Sequence, residues 1–441
     1  MRTSQVLEIL HRRLVALIGL LAAAAVAVIY ITRLSNGPLR DDAQGYYLYL
    51  PAIWLYHNFG LTDPRLAHPP WAFHYFAATG HNGDIYQFGV ALLCSPLFLL
   101  AHYTAVAFGV DPQGYSTPEQ LAAITTAVVM LCVGAWCLRR SLDRGYPAPV
   151  VMGAIVCVVF GSSVFDYAAM DSLYSHIFAF GLVCALPLVS EAWRDAPGSL
   201  RRAALVGLVG GLLMLVRLSD SIFLMLPFLY VAFAEGDPRS GLLQLWARRA
   251  QVLTILLVAF AVYLPQLLFF HYSAGFWTTN LYLGVHFSSL QPKVLESLFS
   301  FDPHGYLPYA PVLVLAVPGF VVMAKNRDPW TYPLLTAWLV NLYVVTSWPN
   351  WSYGSGFGLR PFVDSTGLLA LPLAALFGSV RGRLQLATLL LSWLLVMTTV
   401  VQMIHYWRGL IPWTGIDPVN YFRVLFSVLK SSDASLVFGL D

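Results

Sequence analysis

Apolar segments recur from one end of the chain to the other, and polar residues gather in the stretches between them. A segment surrounded by lipid must satisfy its own backbone hydrogen bonds, and these runs do not alternate as barrel strands do. A helix needs about 20 apolar residues to cross the roughly 30 Å of hydrocarbon. The pattern predicts about eleven transmembrane helices, at roughly 14–32, 120–138, 147–165, 175–192, 203–217, 220–234, 250–270, 308–324, 331–347, 363–380 and 384–404.

Composition supports this interpretation, because 58% of the 441 residues are hydrophobic and only 11% are charged. So few charges do not cover a water-soluble domain of this size. We therefore predict an all-α, polytopic membrane protein with one transmembrane domain over 1–404 and a tail over 405–441. The net charge of +3 gives no reason to expect a nucleic-acid partner. The five cysteines lie in apolar segments without a CxxC pair, so neither a disulfide framework nor a zinc site is predicted.

Basic residues cluster between alternate apolar segments, which the positive-inside rule assigns to the cytoplasm. The first segment is too long for a signal peptide and is interpreted as a retained anchor. The N-terminus is then cytoplasmic and the C-terminus lies outside. The clusters used for this orientation are Arg2/Arg12/Arg13, Arg139/Arg140/Arg144, Arg194/Arg201/Arg202, Arg239/Arg248/Arg249, Lys325/Arg327 and Arg381/Arg383.

This orientation decides how the apolar stretch at about 88–108 is placed. If the stretch crossed the membrane, Arg139 and Arg140 would lie outside, against the positive-inside rule. We therefore place it in the outer interface as an interfacial or re-entrant helix, which its Pro96 and His102 suit.

The longest outer segment is the loop at 33–119, which is rich in acids, histidines, tyrosine and tryptophan. Its aromatic residues are favoured as interface anchors over a sugar-binding platform. The histidines are too scattered to predict a metal cluster. The titratable residues of this loop include Asp41, Asp42, His57, Asp63, His68, His74, His81 and Asp84.

Asp41 and Asp42 are the strongest candidates for chemistry. Two adjacent carboxylates just outside the first span are costly near hydrocarbon. Proton abstraction, or ligation of a cation or a sugar, explains them better than packing. The alternative is that they begin a helix, where an acid at the N-cap or in the first turn is favoured.

Two arginines lie at the outer ends of predicted spans. Arg217 needs an anionic partner, which is either Asp220, three residues on, or the phosphate of a lipid. Arg360 ends a segment with three glycines at alternating positions, at 354–358, and its guanidinium suits phosphate oxygens. The alternative for this segment is simple turn chemistry. The spacing is neither a Walker nor a dinucleotide motif.

Asp171 and His176 mark the outer end between the third and fourth predicted spans, close to Asp166. A carboxylate there could share a cation or a substrate with Asp42. Helix capping by Asp171 is the alternative interpretation.

The order of these features resembles the GT-C superfamily of membrane glycosyltransferases, which includes protein O-mannosyltransferases and lipid A aminoarabinose transferases. DAQGY at 42–46 resembles the family's Asp-Glu-x-x-Tyr element, with the second acid placed before Asp42 as Asp41. The segment at 86–96 resembles the juxtamembrane helix of bacterial members. The segments at 298–311 and 356–360 resemble later outer-loop elements. The resemblance covers nearly the whole chain through the order of these motifs.

The resemblance implies a GT-C-like fold and an inverting hexosyl- or pentosyltransferase with an active site outside the cytoplasm. The donor would be a polyprenyl-phosphate-linked sugar, and the acceptor a glycan, a lipid or a protein. Asp42 would be the general base or its partner, with Asp41 assisting, while Arg360 and Arg217 steady the leaving phosphate. Tyr46, Asp171 and His176 would support substrate binding. Some branches of the family use a divalent cation and others do not, so metal dependence stays open.

Other classes of protein remain open. A transporter or flippase of lipid-linked saccharides could use Arg217 and Asp220, although the charges gather at helix ends rather than at the midplane. A surface-polysaccharide polymerase or ligase shares the donor lipid and the location. A structural subunit with an inert site is a third class. Arginine greatly outnumbers lysine, which is typical of GC-rich bacteria and favours a bacterial inner membrane.

Overall fold

The computed structural model describes residues 16, 18–30, 39–67, 69–234, 238–279, 281–282, 292–302, 304–354 and 356–427. Within these ranges the chain is mainly helical, as predicted, and its one sheet is a two-stranded antiparallel hairpin. The basic N-terminus with Arg2, Arg12 and Arg13, the loop residue His68 and the last part of the predicted tail lie outside the described residues.

The elements follow in a simple order, with short 3₁₀ turns at Leu218–Leu224, Pro311–Leu315, Arg360–Phe362 and Gly367–Leu369. The hairpin consists of β1 (Phe73–Phe76) and β2 (His81–Asp84), with Phe73 opposite Asp84. The helices are α1 (Ile18–Tyr30), α2 (Asp42–Trp54), α3 (Gly89–Ala107), α4 (Thr117–Leu142), α5 (Ala148–Phe160), α6 (Val164–Ala169), α7 (Ser175–Arg194), α8 (Leu200–Val216), α9 (Met225–Phe233), α10 (Pro238–Ala247), α11 (Arg249–Ala274), α12 (Val294–Phe299), α13 (Tyr306–Tyr309), α14 (Ala316–Lys325), α15 (Thr331–Thr346), α16 (Val363–Thr366), α17 (Ala370–Ser379), α18 (Gly382–Trp407) and α19 (Pro418–Ser427).

Six of the described helical segments are long and apolar enough to cross a membrane: α3, α4, α7, α11, α18 and the run Arg360–Ser379 that ends with α17. Shorter apolar helices accompany them, as expected of a multi-pass membrane protein. Every predicted span coincides with a helix, but the number of about eleven crossings stays a prediction. Helix α3 covers the stretch that we placed in the interface. It has the length and composition of a span, so that placement also stays a prediction.

Helix α4 begins with a capping box that also fastens its neighbour α3. Ser116 is the N-cap, and its backbone N–H and its hydroxyl both donate to the Glu119 carboxylate, at 2.9 and 2.8 Å. Such a box satisfies amide groups that the first turn leaves open. The second oxygen of Glu119 lies 2.8 Å from Nδ1 of His102 on α3. One buried acid therefore starts α4 and joins it to α3.

Small residues let α8 and α11 pack with their backbones close together. A Cβ atom on Gly207 would lie 2.5 Å from the Ile255 carbonyl oxygen, and one on Gly211 would lie 2.8 Å from that of Ala259. Glycines four residues apart on one helix face are typical of tightly packed helices in membranes.

We predict that Gly207→Val and Gly211→Val each destabilise the protein by about 1–3 kcal/mol, because the added side chain forces the two helices apart. The measurement is thermal unfolding of the detergent-solubilised protein. Gly198→Val is the matched control, since a Cβ atom at Gly198 meets no heavy atom within 4 Å. Equal unfolding temperatures for all three variants would contradict this packing.

A second close approach joins the start of α3 to the end of α8. A Cβ atom on Gly89 would lie 2.3 Å from the carbonyl oxygen of Leu215. The segment that enters α3 is therefore held beside the segment that leaves α8, two residues before Arg217. This contact brings the loop at 33–119 next to Arg217, a predicted site residue from the middle of the chain.

Candidate functional site

Two of the candidate residues from the sequence, Asp42 and Arg360, meet directly. Nη1 of Arg360 donates to Oδ2 of Asp42 at 2.9 Å, although the residues are 318 positions apart. The other carboxylate oxygen, Oδ1, accepts a hydrogen bond from the hydroxyl of Tyr86 at 2.7 Å. The Asp42 side chain is 21% exposed and that of Arg360 is 15% exposed. The carboxylate is thus held from both sides but still reaches the surface.

The acids at the start of α2 do more than begin a helix. Asp41 occupies the N-cap position, but its side chain makes no capping hydrogen bond. Its φ angle is 43°, a conformation that is costly for a residue other than glycine. Asp42 lies in the first turn and directs its carboxylate to Tyr86 and Arg360. Capping alone therefore does not account for this pair of acids.

The glycine-rich segment before Arg360 forms a tight turn that only small residues fit. Gly354 and Gly358 have φ angles of 81° and 66°, in the region that favours glycine. A Cβ atom on Gly356 would lie 2.4 Å from the Tyr167 hydroxyl. The glycines thus shape the turn, as the alternative interpretation expects, and Arg360 reaches the Asp42 carboxylate, while phosphate binding by Arg360 stays a prediction. Ser355 lies outside the described residues.

His304 fastens this turn to the segment that follows α18. Its Nδ1 and Nε2 lie 3.0 and 2.9 Å from the carbonyl oxygens of Gly356 and Pro412. The ring is almost fully buried. Burial lowers the pKa of His304 to about 4, against the opposing effect of the two carbonyls. The folded protein therefore favours a neutral imidazole, whose single N–H donates to one of these two carbonyls.

This histidine predicts a loss of stability in acid. The unfolded chain takes up a proton near the ordinary pKa of about 6.5, whereas the folded chain does so near 4. The unfolded state therefore binds more protons between these values, and the free energy of unfolding falls as the pH drops from about 6.5 to 4. Unfolding temperatures measured across this range test the effect. In His304→Gln the acid-dependent fall should become smaller, and an unchanged pH dependence would contradict the assignment.

Arg217 has two acidic partners. Its Nε lies 3.7 Å from Oδ1 of Asp220, the neighbour expected from the sequence, and 3.3 Å from Oδ2 of Asp364. Asp364 is fully buried, and its other oxygen lies 2.9 Å from Nδ1 of His176. Thus the predicted residues Arg217 and His176 meet through an acid that the sequence had not indicated.

The Asp42–Arg360 pair lies next to the pair formed by Arg217 and Asp364. Asp364 follows Arg360 by four residues, which places it about one helical turn away. The hydroxyl of Tyr282 reports the same proximity. Its pKa is raised to about 12 by burial and then by the charge of Asp42, while the charges of Arg217 and Arg360 lower it. Asp42, Arg217 and Arg360 therefore act on one small region.

The remaining predicted residues lie at the edge of this region. Asp171 lines a small surface cleft with Arg40 and Tyr174, which places it beside the start of α2. The hydroxyl of Tyr46 donates to Oγ of Ser175 at 2.9 Å and joins α2 to α7. The roles of these residues stay predictions.

Sequence reasoning missed Tyr86 and Asp364. Asp364 carried a usable signal, because an acid inside a predicted span is rare and needs a partner. Tyr86 carried none, since it is one of 23 tyrosines in an aromatic-rich chain. Within the described ranges, no group of three or more His, Cys, Asp or Glu side chains is arranged to hold a metal ion. The divalent cation that the resemblance leaves open stays a prediction.

Known proteins resemble this chain in structure. No family model matches it, and no curated protein sequence does either. The archaeal oligosaccharyltransferase AglB from Archaeoglobus fulgidus, solved with an inhibitory peptide and a dolichol-phosphate, superposes with a TM-score of 0.52 and 11% identity. The match covers 95% of this chain and 58% of AglB. The chain therefore shares the fold of this oligosaccharyltransferase over most of its own length.

A second solved structure gives a weaker match. The apo form of the Archaeoglobus fulgidus oligosaccharyltransferase has 13% identity and a TM-score of 0.45. That match covers 95% of this chain and 54% of the other. This chain spans little more than half the length of these two proteins.

Proposed function

We propose that this chain is an integral-membrane glycosyltransferase of the GT-C type. It moves a hexosyl or pentosyl group from a polyprenyl-phosphate-linked donor to a hydroxyl of an extracytoplasmic glycan, lipid or protein. The observation that carries the proposal is the contact between Asp42 and Arg360, since it joins a potential base to a potential phosphate-binding group. The dolichol-phosphate bound to AglB, which shares the fold, supports a lipid-linked donor.

The reaction is a single displacement at the anomeric carbon. A carboxylate oxygen of Asp42 takes the proton of the acceptor hydroxyl as the acceptor oxygen bonds to that carbon. The bond from the carbon to the phosphate oxygen breaks, and the lipid phosphate leaves with the electron pair. Arg360 stabilises the charge that develops on the phosphate. Attack opposite the leaving group inverts the anomeric configuration.

The geometry leaves room for these roles. Each carboxylate oxygen of Asp42 has two lone pairs, so the hydrogen bonds from Tyr86 and Arg360 leave further acceptor positions. Nη1 is the one nitrogen of the Arg360 guanidinium that bonds Asp42. Its planar fork offers other donors to phosphate oxygens.

Other residues assist in this scheme. Asp41 assists the base, and Arg217 is a second phosphate-binding group from the adjoining cluster. Tyr46, Asp171 and His176 support the substrates from the surrounding elements. The protein would lie in a bacterial inner membrane with its N-terminus in the cytoplasm and this site on the outer side.

We predict that Asp42→Asn lowers turnover by about 10²–10⁴-fold, because the amide cannot accept the proton. Asp41→Asn should cause a smaller loss. The measurement is transfer from a synthetic polyprenyl-phosphate sugar by the purified protein in liposomes. Asp63→Asn is the matched control, since Asp63 pairs with Arg65 at the surface. Normal turnover in both Asp42→Asn and Asp41→Asn would exclude the catalytic assignment.

Arg360→Gln should lower kcat by about 10²–10³-fold, the loss expected when one group stabilising a developing anion is removed. Arg360→Lys should recover part of this loss, because it restores the charge without the fork. The same liposome assay measures both variants, with Arg65→Gln as the control. If Arg360→Gln retains full kcat, this arginine does not act on the phosphate.

A further inference from the structure

Contacts fix the ring, the carbonyl and the backbone N–H of Tyr86. Its ring fills a niche at Gly45, where a Cβ atom would lie 2.1 Å from the ring, and its centroid lies 4.5 Å from that of Tyr46. Its carbonyl accepts a hydrogen bond from the Tyr49 hydroxyl at 2.8 Å. Its N–H donates to Oδ1 of Asp84 at 2.9 Å. A side chain fixed in this way presents its hydroxyl in one direction only.

Asp84 makes this anchoring compatible with a nearby anion. It is fully buried. Burial raises the pKa of Asp84 well above its usual range, and the charge of Asp42 acts in the same direction. The neutral acid is therefore favoured. It accepts the Tyr86 N–H without placing a second negative charge behind Asp42.

The hydroxyl of Tyr86 is a permanent donor. Burial and the charge of Asp42 raise the pKa of Tyr86, so the phenol keeps its proton throughout the working range. It donates to Oδ1 of Asp42 at 2.7 Å, while Arg360 occupies Oδ2. A donor aimed at a carboxylate stabilises the charged form.

We propose that Tyr86 is a positioning residue for Asp42, which fixes the plane of the carboxylate by donating to one of its oxygens. This inference rests on the proposed function for its catalytic consequence. The phenol on one oxygen and the guanidinium on the other prevent the carboxylate from rotating. The acceptor hydroxyl then meets an oxygen whose remaining lone pairs have a defined direction.

The test is Tyr86→Phe, assayed as kcat and KM against pH in the liposome transfer assay. Without the phenol the charged carboxylate loses a donor, so the acid limb of the rate profile should move to higher pH by about one unit. Turnover at the optimum should fall roughly tenfold, the loss of one hydrogen bond to a charged group. The KM for the donor should change little, because Tyr86 contacts the base rather than the phosphate.

Two further variants separate positioning from packing. Gly45→Ala keeps the phenol but pushes the ring from its niche, and it should move the acid limb in the same direction. Tyr47→Phe is the control. Tyr47 is a fully buried tyrosine on α2, the helix of Asp42 and Gly45, and its hydroxyl donates to the Gly114 carbonyl at 2.7 Å. Tyr47→Phe should lower the unfolding temperature as Tyr86→Phe does and leave the limb in place.

A measurement without turnover completes the test. The protonation of Asp42 is followed by the carboxyl infrared band, as the difference between the wild type and Asp42→Asn. Its midpoint should rise by about one pH unit in Tyr86→Phe. An unmoved midpoint and limb would show that Tyr86 is only structural. A shifted midpoint with full turnover in Asp42→Asn would instead overturn the proposed function and retain the contact between Tyr86 and Asp42.

Discussion

The ion pair between Asp42 and Arg360 is the contact on which the candidate site depends. A carboxylate or guanidinium removed from water costs several kcal/mol unless it is paired and hydrogen-bonded. Both side chains here are largely buried, so each charge depends on the other to offset the cost of its burial. Because they belong to the start of α2 and to the glycine turn before α16, the pair also closes the fold across 318 residues.

The elements around this pair reduce the same cost. Tyr86 donates a hydrogen bond to the second carboxylate oxygen of Asp42. Tyr167 and His304 contact the turn that carries Arg360. One turn further, Asp364 lies between Arg217 and His176. Charges that would be unfavourable singly are therefore gathered into one connected polar region among apolar helices.

The sequence located several of these residues because their positions break a strong pattern. Asp42, Arg217 and Arg360 lie at the ends of long apolar runs, where a charge is conspicuous and needs a partner. Hydropathy likewise located the helices, since a span must be both apolar and about 20 residues long. At α3 the hydropathy of the stretch and the positive-inside rule disagreed. The sequence therefore indicated a helix there but not whether it crosses the membrane.

The sequence did not show which distant residues contact one another. The sequence by itself determined a helical membrane protein with acids and arginines at the ends of its apolar segments, because lipid imposes those requirements residue by residue. Only the tertiary structure decided that Arg360 meets Asp42, that Asp364 lies between Arg217 and His176, and that one tyrosine among many holds the carboxylate. Such contacts depend on how distant helices pack, through close approaches such as those of Gly45 and Gly89, and no local pattern encodes them.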